Sequence, residues 1–408
     1  MNDIVRAAFW AGILWVAYTY AGYPVLLWLI GFVWPVRPEK RDGFLPFVSV
    51  LISARNEEQD IGWKVAETLA WDYPPERLEV LVASDASEDR TDEIVRGVRN
   101  PRVTLVRMEK RGGKGRALNR LAELARGELL FFTDANAHIA PHVLYRMVSH
   151  FADPRVGCVT GGTRPLAEDR QAIGSGASAF MSFESVLYRL ESRIGSVLAC
   201  DGAIFCIRRR LFAPVSPELA NDLELPLRIG HAGFWILHES EAVVREVDTS
   251  SPHEEFARRR RICAQGMLAM WRLRDTLGGL RGWQFVSHKL LRYLTLVPLA
   301  LVLFSAIALR ADPFFAVLLA LQGLFYGVAL YGYAVTRLHW KLGRLFAAPF
   351  YIVFGSFGAV CGILDACRGR RFDVWASPVL SRGGNKKAQP QPKGERDLPF
   401  GESVRKWD

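Results

Sequence analysis

The stretches FVSVLISARNEE (47–58), LEVLVASDASEDRTD (78–92) and LLFFTDAN (129–136) share one plan: a short apolar run ends in a cluster of polar and acidic residues. The runs Phe47 to Ile52, Leu78 to Ala83, Val103 to Val106 and Leu129 to Thr133 are rich in Val, Ile, Leu and Phe and read as strands. Between them, Glu58 to Leu69, Asp89 to Val98 and Gly115 to Ala125 are amphipathic and read as helices. This alternation predicts an α/β fold, a Rossmann-like and mostly parallel sheet with helices on both faces. Ligands of such sheets bind beyond the carboxyl ends of the strands.

Outward from this region the chain turns apolar. Ala7 to Val36, Tyr293 to Leu309, Pro313 to Thr336 and Leu345 to Leu364 contain no Asp, Glu, Lys, Arg or His. Each approaches or exceeds the ~20 residues a helix needs to cross hydrocarbon, the second being short, and they read as transmembrane helices. The first has no small-residue cleavage motif after it and is expected to stay as an anchor. The organisation expected is a membrane helix in 1–36, a catalytic domain in 45–275, about three membrane helices in 285–367 and a polar tail, disordered by composition, in 368–408.

The formal charge of +10 does not point to nucleic acid, because much of the excess sits at membrane boundaries: Arg37, Lys40 and Arg41, then Arg337, Lys341 and Arg344, then Arg368, Arg370 and Arg371. Such clusters mark cytoplasmic loops and favour anionic lipid, so the expected location is the inner cell membrane, multi-pass, with the catalytic domain in the cytoplasm. Three full crossings after the domain would leave the last cluster outside, so one segment is expected to be re-entrant or interfacial. The six cysteines are scattered without a C-x-x-C pair and suggest neither a zinc site nor a disulfide framework.

The polar groups that follow the strands are Ser53 to Glu57, Ser84 to Ser87 and Asp134 to Asn136. Helix capping explains Ser87 and Asp89 as well as ligand binding does. It explains Asp134 less well, since a carboxylate at the end of a buried strand requires a partner. A nucleoside-diphosphate sugar fits this edge: an acceptor hydroxyl attacks the anomeric carbon and a diphosphate leaves. Mg²⁺ or Mn²⁺ can stabilise that charge with one or two protein oxygens plus waters and phosphates, and Asp134 and Asn136 offer such oxygens. His138 and His142 have a metal-compatible spacing, but no third ligand accompanies them.

With Gly112-Gly113-Lys114-Gly115-Arg116-Ala117-Leu118-Asn119, Asp201-Gly202-Ala203, Asn221-Asp222-Leu223-Glu224-Leu225, and Arg258 to Arg261 with Gly266 added in order, the sequence resembles the family 2 inverting glycosyltransferases of the cellulose, chitin and hyaluronan synthase type. The resemblance runs through most of the region between the membrane segments and implies a GT-A fold. It implies that Ser53, Asn56, Glu57 and Asp85 lie at the donor, with Glu57 and Asp85 on the uridine and Lys114 and Asn119 nearby. Asp134 would hold metal and diphosphate, Asp222 would be the general base, and Asp201, Gly202 and Ala203 would meet the acceptor sugar. Arg258 and Arg261 fall on the Gln and Arg positions of the Q-x-x-R-W motif beside the diphosphate and acceptor.

Three departures from the family pattern stand out. Asn136 replaces the second Asp of D-x-D, Arg258 replaces Gln, and Ile262 replaces Trp, which removes an aromatic platform and puts processive synthesis in doubt. Independently, Asp222 is compatible with a base or with a first-turn helix acid, and residues 258 and 261, three apart on a helix, share a face while the other two arginines point elsewhere. The expected partners are a nucleotide sugar, a UDP-sugar by the implied family, a glycan or lipid-linked acceptor, and membrane lipid. Competing readings are a polyprenyl-phosphate single-sugar transferase, or an inactive scaffold or transport subunit carrying a transferase-like domain.

Overall fold

The computed structural model describes residues 2–165, 172–246, 252–338 and 344–372. Its strands are β1 (Val48–Ala54), β2 (Leu78–Ser84), β3 (Val103–Arg107), β4 (Leu129–Asp134), β5 (His138–Ile139), β6 (Val156–Pro165), β7 (Ile204–Arg208) and β8 (Trp235–Glu246), in one sheet of order β3-β2-β1-β4-β7-β6-β8-β5. The β3-β2-β1-β4 half is parallel throughout. The second half is mixed, with β7 antiparallel to both β4 and β6 and β6 parallel to β8.

Alternation along β1 builds two cores. Val48, Val50, Ile52 and Ala54 pack with Val80, Val82 and Phe131 under the helix Ile61–Leu69, whereas Leu51 joins Leu81, Leu130 and Phe132 under the helix Gly113–Leu124. Successive side chains of a strand point to opposite faces, so β1, buried at every position, is covered on both. One polar residue inside β1 is matched: buried Ser49 donates to Glu79 Oε1 at 2.6 Å, and Glu79 also takes Arg126.

Among the described residues, three helices are long and apolar enough to cross a membrane: Asn2–Val33, Pro313–Arg337 and Ala348–Cys367. The short stretch expected at Tyr293 to Leu309 is a bent pair, Gly279–Tyr293 followed by Leu296–Ala308 at 57°, the geometry of a broken span or a re-entrant loop. Pro298 sits just beyond the bend and cannot donate a backbone hydrogen bond there. The expected polar tail lies almost wholly outside the described residues.

Polar contacts weld these helices to the sheet domain. The π-helical turn Tyr18–Gly22 in the first span presents Tyr18, which bonds Ser287 at 2.7 Å and accepts from Trp283 at 2.9 Å. Tyr23 donates to Glu191 at 2.6 Å, and His288 lies between Glu191 (2.7 Å) and Glu184 (2.8 Å). Arg292 binds the other oxygen of Glu184 at 2.7 Å. On the opposite side, the helix Pro252–Arg272 packs along the last span, where Arg260 pairs with Asp365 and Arg259 with Tyr351.

Candidate active site

Two left-handed residues shape the edge of the parallel half, Asn56 after β1 (φ 53°) and Ala86 after β2 (φ 51°). A side chain disfavours that conformation, so the loops must be held in place. Arg55 does this by donating to the carbonyls of Asp85 (2.7 Å) and Ala86 (2.8 Å). Asn56 Oδ1 accepts from Glu88 N–H at 2.9 Å, and the N–H of buried Glu57 donates to Thr91 Oγ1 at 2.8 Å. Beside them the buried Ser53 hydroxyl has no hydrogen-bond partner among the described residues.

Asp85, expected on the uridine, spends its carboxylate on the N–H groups of Gly112 (2.7 Å) and Gly113 (2.9 Å). Gly113 has φ 79°, so glycine suits this turn, which aims the following Lys114 at the end of β4. Lys114 Nζ reaches Asp134 Oδ1 at 2.6 Å and the carbonyl of Gly202 at 3.3 Å. Asn119, expected near the donor, is bonded at both ends of its amide to the backbone of Val215, at 2.9 and 2.8 Å. It holds the segment that leads into the helix Asn221–His231.

Asp222 lies in the first turn of that helix, but its carboxylate forms no capping bond there and no hydrogen bond among the described residues. Its carbonyl accepts from Cys200 N–H at 2.7 Å, and its Oδ2 lies over Gly202. Burial pushes the Asp222 pKa above the usual carboxylate range, against the pull of Lys114, Lys289 and Arg261, and Asp134 adds to the rise. Asp201, expected at the acceptor, accepts instead from Thr163 N–H (2.7 Å) and Ala203 N–H (3.0 Å), fixing the turn beneath Asp222. Burial raises its pKa as well.

The four arginines divide their tasks. Glu255 takes Arg258 at 2.8 Å and Arg259 at 2.9 Å, and accepts from Tyr351 of the last span at 2.8 Å. Arg260 goes to Asp365. Arg261 makes no hydrogen bond or ion pair among the described residues, and burial lowers its pKa while Asp222 opposes that shift. Arg258 and Arg261 both line the cavity, as the three-residue spacing predicts, but Arg259, expected to point elsewhere, lines it as well because it is bonded to Tyr351 of the last span, another lining residue.

That cavity, about 720 Å³, has Lys114, Asp134, Asp201 and Asp222 on one wall and Tyr351, Ile352, Gly355 and Ser356 of the last span on another. Lys289 also lines it, a residue to which the sequence reading gave no role. The four-residue spacing of Gln284, His288 and Arg292 was the available signal that the segment before the membrane presents a polar face.

The donor set suits a hard cation. Asp134 is bonded through one oxygen only, and the Asn136 side chain has no partner among the described residues. No group of three or more His, Cys, Asp or Glu side chains gathers among the described residues, so donor phosphates and water would complete the shell of Mg²⁺ or Mn²⁺. His138 lies flat on Trp63, ring centroids 3.8 Å apart.

Residues 49–212 match the family model described as Glycosyl transferase family 2. Glycosyltransferase AglE of Haloferax volcanii is 31% identical over 236 residues, which covers 56% of this chain and 75% of that protein. The beta-monoglucosyldiacylglycerol synthase of a Synechocystis strain is 28% identical over 198 residues, 47% of this chain and 41% of that protein, so the chain spans less than half of that relative's length. The mannosyltransferase PcManGT from Pyrobaculum calidifontis, solved with GDP-Man and Mn²⁺, superposes with a TM-score of 0.65 at 23% identity, covering 88% of this chain and 99% of that one. Fold likeness and sequence match agree, and the chain belongs to glycosyl transferase family 2 and has the GT-A fold.

Proposed function

We propose that this chain is a membrane-bound inverting glycosyltransferase that moves a sugar from a nucleoside-diphosphate donor, a UDP-sugar by the resemblance of its motifs, to a hydroxyl of a membrane-held glycan or lipid. One observation carries the reading: the cavity that holds Asp134, Lys114 and Asp222 is also walled by the last membrane-length helix. The donor would occupy the strand ends, with its diphosphate toward Lys114 and Arg261. A divalent ion on Asp134 and Asn136 would supply charge stabilisation to the leaving group.

Asp222 supports a hydroxyl acceptor. A hydroxyl must lose its proton as it attacks, and a carboxylate without a hydrogen bond among the described residues can take it. A polyprenyl phosphate is already anionic, needs no base, and would be repelled by Asp222. The relative named beta-monoglucosyldiacylglycerol synthase agrees with a lipid acceptor. Arg37, Lys40 and Arg41 after the first span favour a cytoplasmic catalytic domain, where nucleotide sugars are made.

The test is incubation of the purified full chain in lipid nanodiscs with UDP- and GDP-sugars, with Mg²⁺ or Mn²⁺, following nucleoside diphosphate release and labelled product. A transferase releases nucleotide and labels lipid or glycan. A scaffold or transport subunit releases none with any donor, and that result would end this reading.

A further inference from the structure

We propose that Lys289 is an acceptor-side anion site: it binds the phosphate of a lipid whose head group also carries the hydroxyl that Asp222 deprotonates. This rests on the reading of the chain as a transferase with a membrane-held acceptor.

The charges of the cavity single out this lysine. Lys114 is paired with Asp134, Arg258 and Arg259 share Glu255, and Arg292 and His288 are bound to Glu184. Arg261 and Lys289 are left, neither with a hydrogen bond or ion pair among the described residues. They serve different ends. The charge of Arg261 acts on Asp222 and Asp134, the donor side, whereas that of Lys289 acts on Asp222, on Glu184 and on Cys263. Lys289 also comes from the segment Gly279–Tyr293, which leads into the membrane helices.

Lys289 is half-buried, and a bound anion would offset what that burial costs a cation with no protein partner among the described residues. The donor's diphosphate would meet Lys114 and Arg261, which leaves Lys289 without a task on the donor side. A second anion therefore fits between the base and the membrane wall. It is not the nucleophile, since an anionic nucleophile would leave Asp222 without a task. In the step itself, the acceptor hydroxyl oxygen bonds to the anomeric carbon while the carbon–oxygen bond to the diphosphate breaks. The proton goes to Asp222, the nucleoside diphosphate leaves with the bonding electrons, and Lys289 exchanges no proton. The required chemistry is a phosphodiester or diphosphate one head group away from a free hydroxyl, found in phosphatidylglycerol and in polyprenyl-diphosphate-linked sugars.

The experiment uses the full chain in phosphatidylcholine nanodiscs with Mn²⁺ and labelled donor, offering diacylglycerol, phosphatidylglycerol or a polyprenyl-diphosphate sugar in turn. Transfer to one of the two anionic acceptors should exceed that to diacylglycerol, and the better of the two identifies the source. Lys289→Gln should raise the KM for that acceptor by about tenfold or more, Lys289→Arg should restore it, and the donor Kd by titration calorimetry should stay constant, which also shows that the variant folds. Preference for diacylglycerol, a weakened donor Kd, or a kcat loss at unchanged KM for every acceptor would each overturn the proposal. The last would make Lys289 a modulator of Asp222. Donor hydrolysis with no lipid labelled at all would overturn the membrane-acceptor reading beneath it, and this proposal with it.

Discussion

Asp222 Oδ2 lies so close over Gly202 that a methyl group on that glycine would stand 2.8 Å from it. Gly202 also offers its carbonyl to Lys114 at 3.3 Å, so this one residue seats both the candidate base and the cation beside Asp134. Gly202→Ala should therefore displace the Asp222 carboxylate while leaving the donor loops intact. The expected result is a kcat lowered about tenfold to a hundredfold with donor Kd nearly unchanged, since misplacing a catalytic group by about 1 Å has costs on that order. Steady-state kinetics beside calorimetry checks it.

Asp222→Asn should retain donor binding and lower transfer by roughly 10²-fold or more, the usual loss for a general base. The wild-type pH profile carries a second test. Burial raises the Asp222 pKa, and a base with a raised pKa loses its active form as pH falls through that raised value. The acid limb of kcat should then lie above the ordinary carboxylate range. Lys114, Lys289 and Arg261 pull the pKa down, so Arg261→Ala should move the limb to higher pH. A limb that stays in place in Arg261→Ala, or vanishes only with another residue, would assign the titration elsewhere.

Strands β1 to β4 were legible in the sequence within a residue or two: β1, β2 and β4 are buried on both faces and so mostly apolar, the edge strand β3 keeps a short Val- and Leu-rich run, and the helices between them carry clear amphipathic spacing. Strands β6 and β8 were not. VGCVTGGTRP is rich in glycine and WILHESEAVVRE is broken by charge, and pairing with neighbours rather than local composition makes them strands. In the site, Asp134 stood out as an acid ending an apolar strand, and the spacing of Arg258 and Arg261 foretold a shared wall. Asp201 and Asn119 have the chemistry of ligands, and only the fold reveals that backbone N–H and C=O groups occupy them. Lys289 resembles a membrane-boundary charge in sequence and becomes notable only when the cavity places it near Asp222.

Asn119 offers a contrast between holding and binding. Its amide makes two hydrogen bonds to the Val215 backbone across 96 residues of sequence, in the segment that positions Asp222. Asn119→Ala should cost about 1–3 kcal/mol of stability, the scale for losing such bonds and leaving a partner unsatisfied. Chemical denaturation should show that loss. If the donor Kd instead weakens tenfold with stability unchanged, Asn119 acts on the nucleotide sugar directly.

Metal dependence puts Asp134 to the sharpest test. Lys114 holds one of its oxygens at 2.6 Å, leaving the other for a cation, and Asn136 adds a neutral oxygen where the family pattern has a second carboxylate. A neutral amide should hold a divalent ion more weakly than a carboxylate would, so most of the protein's attraction for the metal rests on Asp134. Asp134→Ala should abolish transfer and weaken donor binding, because it removes the metal ligand and frees Lys114 from its position. Asn136→Asp should keep activity and lower the Mn²⁺ concentration needed for half-maximal rate. Titrating Mg²⁺ and Mn²⁺ into chelator-treated wild type and both variants reads all three expectations. Full transfer by the chelated wild type would discard the metal and leave Lys114 with Arg261 to stabilise the departing diphosphate, in which case Arg261→Ala should become the most damaging single change to the rate.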